Sequence, residues 1–395
     1  MNTVKFDSCL LPKTGVDLCK WAVIACDQYT SDKAYWEKLD KYVGGSPSTL
    51  RLICPEVYLA GADGRMDVIA EAARDYAKNV LTSYGGGVLV KRTTGIGERW
   101  GLVCLIDHDA YSYAPDSDAL IRATEGTVPE RIPPRLKVRR VSDIELPHVL
   151  TLIDDRDRSV IEPLIGTGKK LYDVTLYGGG GRLEGWQITD TEPVLKAFDR
   201  LQKKTTERVG QPLLMLVGDG NHSLATAKAL YEEYKAKGDS RAAKARYALV
   251  EVENLWQDGI VFEPIHRVVK GADNAKLIKY LTEKCAGTTA GELLTKGGST
   301  GIKLPGDAVE AYKLVQTLID AYVGENGGEI DYIHGRGDLE AVCASEDAVG
   351  IVMPKIKKDS FFEYVINNGV MPRKTFSMGE AWEKRYYMEC RDING

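Results

Sequence analysis

The residue types that could do chemistry lie closest together at Gly218-Asp219-Gly220-Asn221-His222-Ser223. An apolar run, LMLV, stops at this segment, and an Ala/Leu-rich helical pattern begins directly after it. A strand that feeds a glycine turn into a helix start leaves backbone N–H groups and the positive end of a helix dipole facing one point, which suits an anion. The glycines allow close approach of a ligand. Asp219, Asn221, His222 and Ser223 set an acid, an amide, an imidazole and a hydroxyl around that point. Helix capping alone would need one such residue, not four.

These groups suit phosphoryl transfer, which asks a protein for donors to hold the transferred group, a divalent cation to neutralise it and an acid to orient the acceptor hydroxyl. Gly218, Gly220, Asn221 and Ser223 are the candidate phosphate cradle. Asp219, His222, Glu125 and Asp27 are the candidate catalytic groups, with Asp219 and Glu125 as Mg2+ ligands. Two basic stretches offer charge: Arg131 and Arg135 in a proline-rich segment, and Arg373, Lys374, Thr375 and Ser377 in PRKTFS. Gln28, Tyr29 and Thr30, after the first apolar strand, and His266 and Arg267 are candidate substrate contacts. No GxxxxGK[ST] loop or protein-kinase signature occurs, and GDGNHS lacks the strained nucleophile-elbow pattern.

The elements that must position these residues alternate irregularly. WAVIAC and LRLICPEVYL read as short buried strands, with Thr30 or Ser31 capping a helix that carries Tyr35, Trp36, Leu39 and Tyr42. MDVIAEAARDYAKNVLTSYGGG reads as a helix stopped by its glycines, and residues from Val88 to Tyr113 as antiparallel sheet. Pro129, Pro133 and Pro134 predict a rigid basic loop around Arg122, Arg131, Arg135, Arg139 and Arg140, with Arg156 downstream. KLYDVTLYGGGGRLEGWQIT reads as a hairpin and EPVLKAFDRLQKKTTERV as an amphipathic helix. This order predicts an α+β, or mixed-sheet α/β, fold. Three segments are expected: an N-terminal α/β segment at 1–85, a central mixed-sheet domain at 86–270 holding the anion turn, and a C-terminal α+β segment at 271–395 with the MPRKTFS loop.

A chain of 395 residues with 44% hydrophobic content can build a proper core. Its net charge of −5 disfavours nucleic acid and anionic membrane as partners. Eight scattered cysteines without a CxxC pair suggest reduced thiols, and no run of about 18 apolar residues is present. The expectation is a cytoplasmic protein acting on a small molecule, with homo-oligomerisation left open.

Several stretches resemble the family named domain of unknown function 1015. VGDGNHSLATAKA resembles its DGHHRYETA motif, PIHRVV at 264–269 its PTHRVV, IRATEGTVPERIPPRLKVR its HE-x-T segment, and MPRKTFSMGEAWEKRYYMECR at 371–391 its MPRKST ending. Asn221 and Ser223 stand where the commoner form has His and Arg, and Thr124 where many members have His, so position 223 carries no cation. The DG-x-H core also resembles the phosphate-binding turn of ParB/sulfiredoxin-like proteins, a group that includes free-serine kinases. That likeness implies a ParB/sulfiredoxin-like nucleotide-binding core within a larger mixed-sheet protein, and Mg2+ with ATP, ADP or pyrophosphate as co-substrate. It also implies free L-serine or a similar metabolite as phosphoryl acceptor. A nucleotide-binding regulatory protein without turnover, or a phosphate-ester hydrolase, would use much the same groups.

Overall fold

The computed structural model describes residues 3–30 and 32–394. The chain divides into two compact units, Met1–Ile260 with Ala381–Gly395, and Val261–Glu380. The breaks expected near 85 and 270 fall elsewhere. Pairing of Asp7–Pro12 with Leu81–Thr93 places the N-terminal segment in the central sheet, and the last residues return to the first unit.

Among the described residues the first unit holds an eleven-stranded sheet. Nine strands follow one path, Lys169–Thr175, Arg182–Ile188, Leu81–Thr93, Glu98–Asp107, Tyr247–Asn254, Leu150–Ile153, Met215–Asp219, Ile121–Ala123, Tyr111–Ser112, and two pair off it, Val4–Lys5 with Glu98–Asp107 and Asp7–Pro12 with Leu81–Thr93. Parallel pairings, such as Met215–Asp219 with Ile121–Ala123 and Tyr247–Asn254 with Leu150–Ile153, sit among antiparallel ones, so the fold is mixed α/β. Helix Glu192–Val209 buries Val194, Ala197, Phe198 and Leu201 against Leu214, Met215 and Val217. Each such side chain contributes about 1.5–3 kcal/mol when fully buried. The second unit has an antiparallel sheet in which Phe262–Lys270 lies between Ala348–Val352 and Glu329–His334. Leu277, Leu281, Tyr312, Val315 and Ile319 from its helices pack in one core with Val269, Val349 and Ile351 from its strands.

Several local expectations are corrected. WAVIAC gives a helical turn, Leu18–Trp21, and only a two-residue strand, Val23–Ile24. LRLICPEVYL gives 3-10 turns, Thr49–Arg51 and Glu56–Arg65, because the Pro55 ring fixes φ and removes an N–H donor from any ladder. The helix after Met66 stops at Val80, before the glycines, which lie inside strand Leu81–Thr93. The basic segment is a helix rather than a loop. Pro133 and Pro134 fall in the first turn of Ile132–Val141, where no intrahelical N–H bond is needed. Asp32, not Thr30, caps helix Lys33–Val43, its Oδ1 accepting from Tyr35 N at 3.0 Å. Ser31 lies outside the described residues.

Candidate active site

The signature begins in a buried strand, Met215–Asp219, and its register decides what surrounds the turn. Val217 stands opposite Ala123 on one side, so the following residue, Thr124, comes level with the turn. On the other side Asp219 stands opposite Leu150, which brings Val149 and His148 beside Gly220. The register shifts between Val217 and Asp219, an irregularity of the kind that re-aims a side chain at the end of a strand. Gly220 has φ 84 and ψ 25, a left-handed conformation that favours glycine, and a Cβ there would meet His148 Cδ2 at 3.0 Å and Val149 Cα at 3.1 Å. Gly220 is also the N-cap of helix Asn221–Lys237, so no side chain caps the first turn. Gly218, Asp219, Gly220, His222 and Ser223 are half-buried.

Asn221 and His222 are occupied by the fold. Asn221 Oδ1 accepts from Thr124 N at 3.2 Å, and Thr124 Oγ1 donates to the Val217 carbonyl at 2.6 Å. His222 Nε2 accepts from Val128 N at 3.1 Å. The amide and the imidazole thus tie the signature helix to the segment that carries Glu125, itself half-buried.

A second constellation reaches the turn from distant sequence. The C-terminal tail pairs Tyr386 with Ile24 and Tyr387 with Val23, and the Ala25 N–H donates to the Arg385 carbonyl at 2.9 Å. Continuing that antiparallel run sets Lys384 beside the Cys26–Asp27 end of the strand. Asp27 Oδ2 lies 3.1 Å from His148 Nε2, Asp27 Oδ1 accepts from Gln28 Nε2 at 2.9 Å, and His148 Nδ1 lies 2.6 Å from the Tyr387 hydroxyl. Burial alone would raise the Asp27 carboxyl, but the His148 imidazolium, the Gln28 amide and the Lys384 ammonium hold it well below the usual carboxylate range. Burial opposes charge on His148 too, and the Asp27 carboxylate overcomes it, so its pKa is raised well above the ordinary histidine value. Lys384 Nζ lies 3.8 Å from Asp219 Oδ2, with side-chain exposures of 8% and 20%.

Beneath these groups runs a buried charge network. Arg385 pairs with Glu251 and with Glu389 and donates from Nε to the Pro147 carbonyl at 2.6 Å, while Tyr172 donates to Glu389. Arg99 Nε lies 3.0 Å from Glu253 Oε1, its Nη2 donates to the Glu383 carbonyl at 2.8 Å, and Arg92 donates to the Trp382 carbonyl at 3.0 Å. Burial raises the Glu253 carboxyl, Arg99 and Arg92 pull it down, and the Asp219 charge adds to the rise.

The other expected residues are exposed or are engaged by partners of their own. Arg131 is exposed, and Arg135 pairs with Glu56 at 2.6 Å and donates to the Arg131 carbonyl at 2.8 Å. Of the remaining arginines of that stretch, Arg139 pairs with Glu145 and Arg140 with Glu233. Tyr29, at φ 50, stacks on Tyr35 with ring centroids 3.9 Å apart, and Thr30 is exposed. In the second unit, Arg267 is fully buried between the Tyr312 and Tyr332 rings and donates to the Ile265 and Lys374 carbonyls at 2.6 and 2.7 Å. Thr375 Oγ1 donates to Pro372 O at 2.5 Å and Ser377 Oγ to Gly379 O at 2.9 Å, so both hydroxyls close their own loop, on which Arg373 and Lys374 are exposed. His266 Nδ1 accepts from Met353 N at 3.0 Å. Among the described residues no group of three or more His, Cys, Asp or Glu could hold a metal ion.

The residues that sequence reasoning missed are His148, Lys384 and Tyr387. His148 is one of only five histidines, and Lys384 lies inside the family-like tail, which were the available signals.

The chain belongs to the family described as protein of unknown function DUF1015, whose model matches residues 10–353. No curated protein matches it. Among solved structures it is similar to a conserved hypothetical protein from Pyrococcus furiosus, at 15% identity and a TM-score of 0.38, over 74% of this chain and 95% of that one. It is also similar to a free serine kinase mutant in complex with AMP, at 14% identity and a TM-score of 0.41, covering 72% and 91%. A third similar structure is SbnI with a C-terminal truncation from Staphylococcus aureus, at 12% identity and a TM-score of 0.38, covering 70% and 82%. Among the described residues no helix is long and apolar enough to cross a membrane.

Proposed function

We propose that the protein is a phosphotransferase with an alcohol acceptor, moving a phosphoryl group from ATP, ADP or pyrophosphate to the hydroxyl of free L-serine or a similar small metabolite. The observation that carries this reading is the meeting of the Gly220 turn, uncapped by any side chain and half-open, with the ionised Asp27–His148 pair and with Asp219.

The turn's N–H groups hold phosphate, aided by the helix dipole. Asp27, 31% exposed, takes the acceptor hydroxyl as a hydrogen-bond donor and aims its oxygen at the phosphorus. A carboxylate of such low basicity orients better than it deprotonates, which suffices for a loose transition state in which the hydroxyl proton leaves late. His148 keeps Asp27 charged and fixed. Mg2+ brought by the donor would take its ligands chiefly from phosphates and water, with Asp219 the nearest protein carboxylate, and would neutralise charge on the transferred group. His222 and Asn221 hold the turn in shape, and Glu125 stays on the segment they anchor.

Purified protein incubated with Mg2+, L-serine and each donor should yield phosphoserine, read by 31P NMR. AMP and ADP, named as ligands of the free serine kinase structures, are the matching binding probes. Asp27→Asn should lower the rate by about a hundredfold or more. No phosphoserine with any donor would sink the kinase reading, and phosphate release without an acceptor would favour hydrolysis instead.

A further inference from the structure

Of the cations expected to close over the phosphate, Arg131 is exposed and Arg135 is held by Glu56. The buried arginines beneath the turn are engaged as well, since Arg92, Arg99 and Arg385 all donate to backbone carbonyls and Arg385 is gripped by two glutamates. Lys384 stands at the turn itself, beside Asp219. Its side chain is more than nine-tenths buried, its Nζ makes no hydrogen bond among the described residues, and the nearest carboxylate oxygen, on Asp219, lies at 3.8 Å, outside hydrogen-bond range. An ammonium held only by an ion pair beyond hydrogen-bond range keeps its N–H donors for an arriving anion.

The location fits that need. The tail pairing sets Lys384 next to Asp27, whose carboxyl feels its charge, and the ion pair with Asp219 sets it at the mouth of the uncapped helix. Asp219, Asp27, Lys384 and His148 together sum to about zero charge, so an arriving phosphate meets a neutral rim that includes the Lys384 ammonium.

We propose that Lys384 is the cationic ligand of the phosphate group held at the Gly220 turn. This rests on the phosphotransferase reading and names the group that grips its donor. Calorimetric titration of ADP and of inorganic pyrophosphate into the wild-type chain, Lys384→Gln and Lys384→Arg tests it. Lys384→Gln should weaken both ligands by about ten- to a hundredfold, the effect of one charged hydrogen bond, while Lys384→Arg stays closer to wild type. In the unsubstituted protein, bound ADP should shield Lys384 from reductive methylation while exposed Lys196 reacts as before, a readout that needs no variant to fold. Undiminished binding by folded Lys384→Gln, or an unshielded Lys384 at saturating ADP, overturns the assignment and leaves the phosphotransferase reading standing. Failure of the wild type to bind either ligand removes both.

Discussion

At the scale of single residues, the Asp27–His148 pair makes a claim about pH. His148 is 7% exposed and its pKa is raised, so its contribution to stability is whole below the unfolded histidine value, about 6.5, and is lost as pH rises through the folded value. Asp27 is lowered, so its contribution is whole above the unfolded value, about 3.9, and fades only as pH falls toward the depressed one. The stability difference between wild type and His148→Gln should therefore be largest between about pH 4 and 6.5 and shrink steadily above it. Guanidinium unfolding at pH 5.5, 7 and 8.5 would measure this, and a difference independent of pH would refute the ion pair. In the same variant Asp27 loses the partner that lowers it, so any serine phosphorylation should show an acid limb moved to higher pH.

At the scale of elements, the turn depends on one backbone conformation. Gly220→Ala forces a Cβ into a left-handed φ of 84 and against His148 Cδ2 and Val149 Cα, both on the neighbouring chain segment. The cost should be about 1–3 kcal/mol, with the His148 imidazole displaced from Asp27. A lowered denaturation midpoint and a moved His148 ring resonance would report it; an unchanged resonance would mean that the helix absorbs the strain instead. The strand, turn and helix of this motif were legible in sequence because LMLV, the glycines and the Ala/Leu pattern are all local. The hairpin of Lys169–Thr175 with Arg182–Ile188 and the helix Glu192–Val209 were legible for the same reason. His148, Lys384 and Tyr387 were not, because they arrive by strand register and tail pairing across more than two hundred residues of sequence in the Tyr387 case. The basic stretch misled in the opposite direction: its arginines looked like an anion pocket, yet Glu56 and Glu233, far off in sequence, and Glu145, six residues beyond Arg139, claim them.

At the scale of the whole molecule, the two compact units carry histidines with opposite responses to acid. In the second unit His266 is 3% exposed and accepts a hydrogen bond from Met353 N, and burial, then Arg336 and Arg267, push its pKa down to about 4. It stays neutral when folded but takes a proton near 6.5 when unfolded, so the stability it confers is whole above about 6.5 and is lost as pH falls toward 4. That loss amounts to about 3 kcal/mol over the window. The six tryptophans, Trp21, Trp36, Trp100, Trp186, Trp256 and Trp382, all belong to the first unit, so indole fluorescence reports that unit alone while circular dichroism reports both. Acidifying from pH 6.5 to 4.5 should therefore lower the midpoint of a dichroism-detected transition more than that of the fluorescence-detected one. His266→Asn, which removes the titrating group, should lessen the gap even though it lowers stability at neutral pH. Coincident traces at every pH would show that the units unfold as one, and a gap that persists in His266→Asn would assign the acid sensitivity of the second unit to some other group.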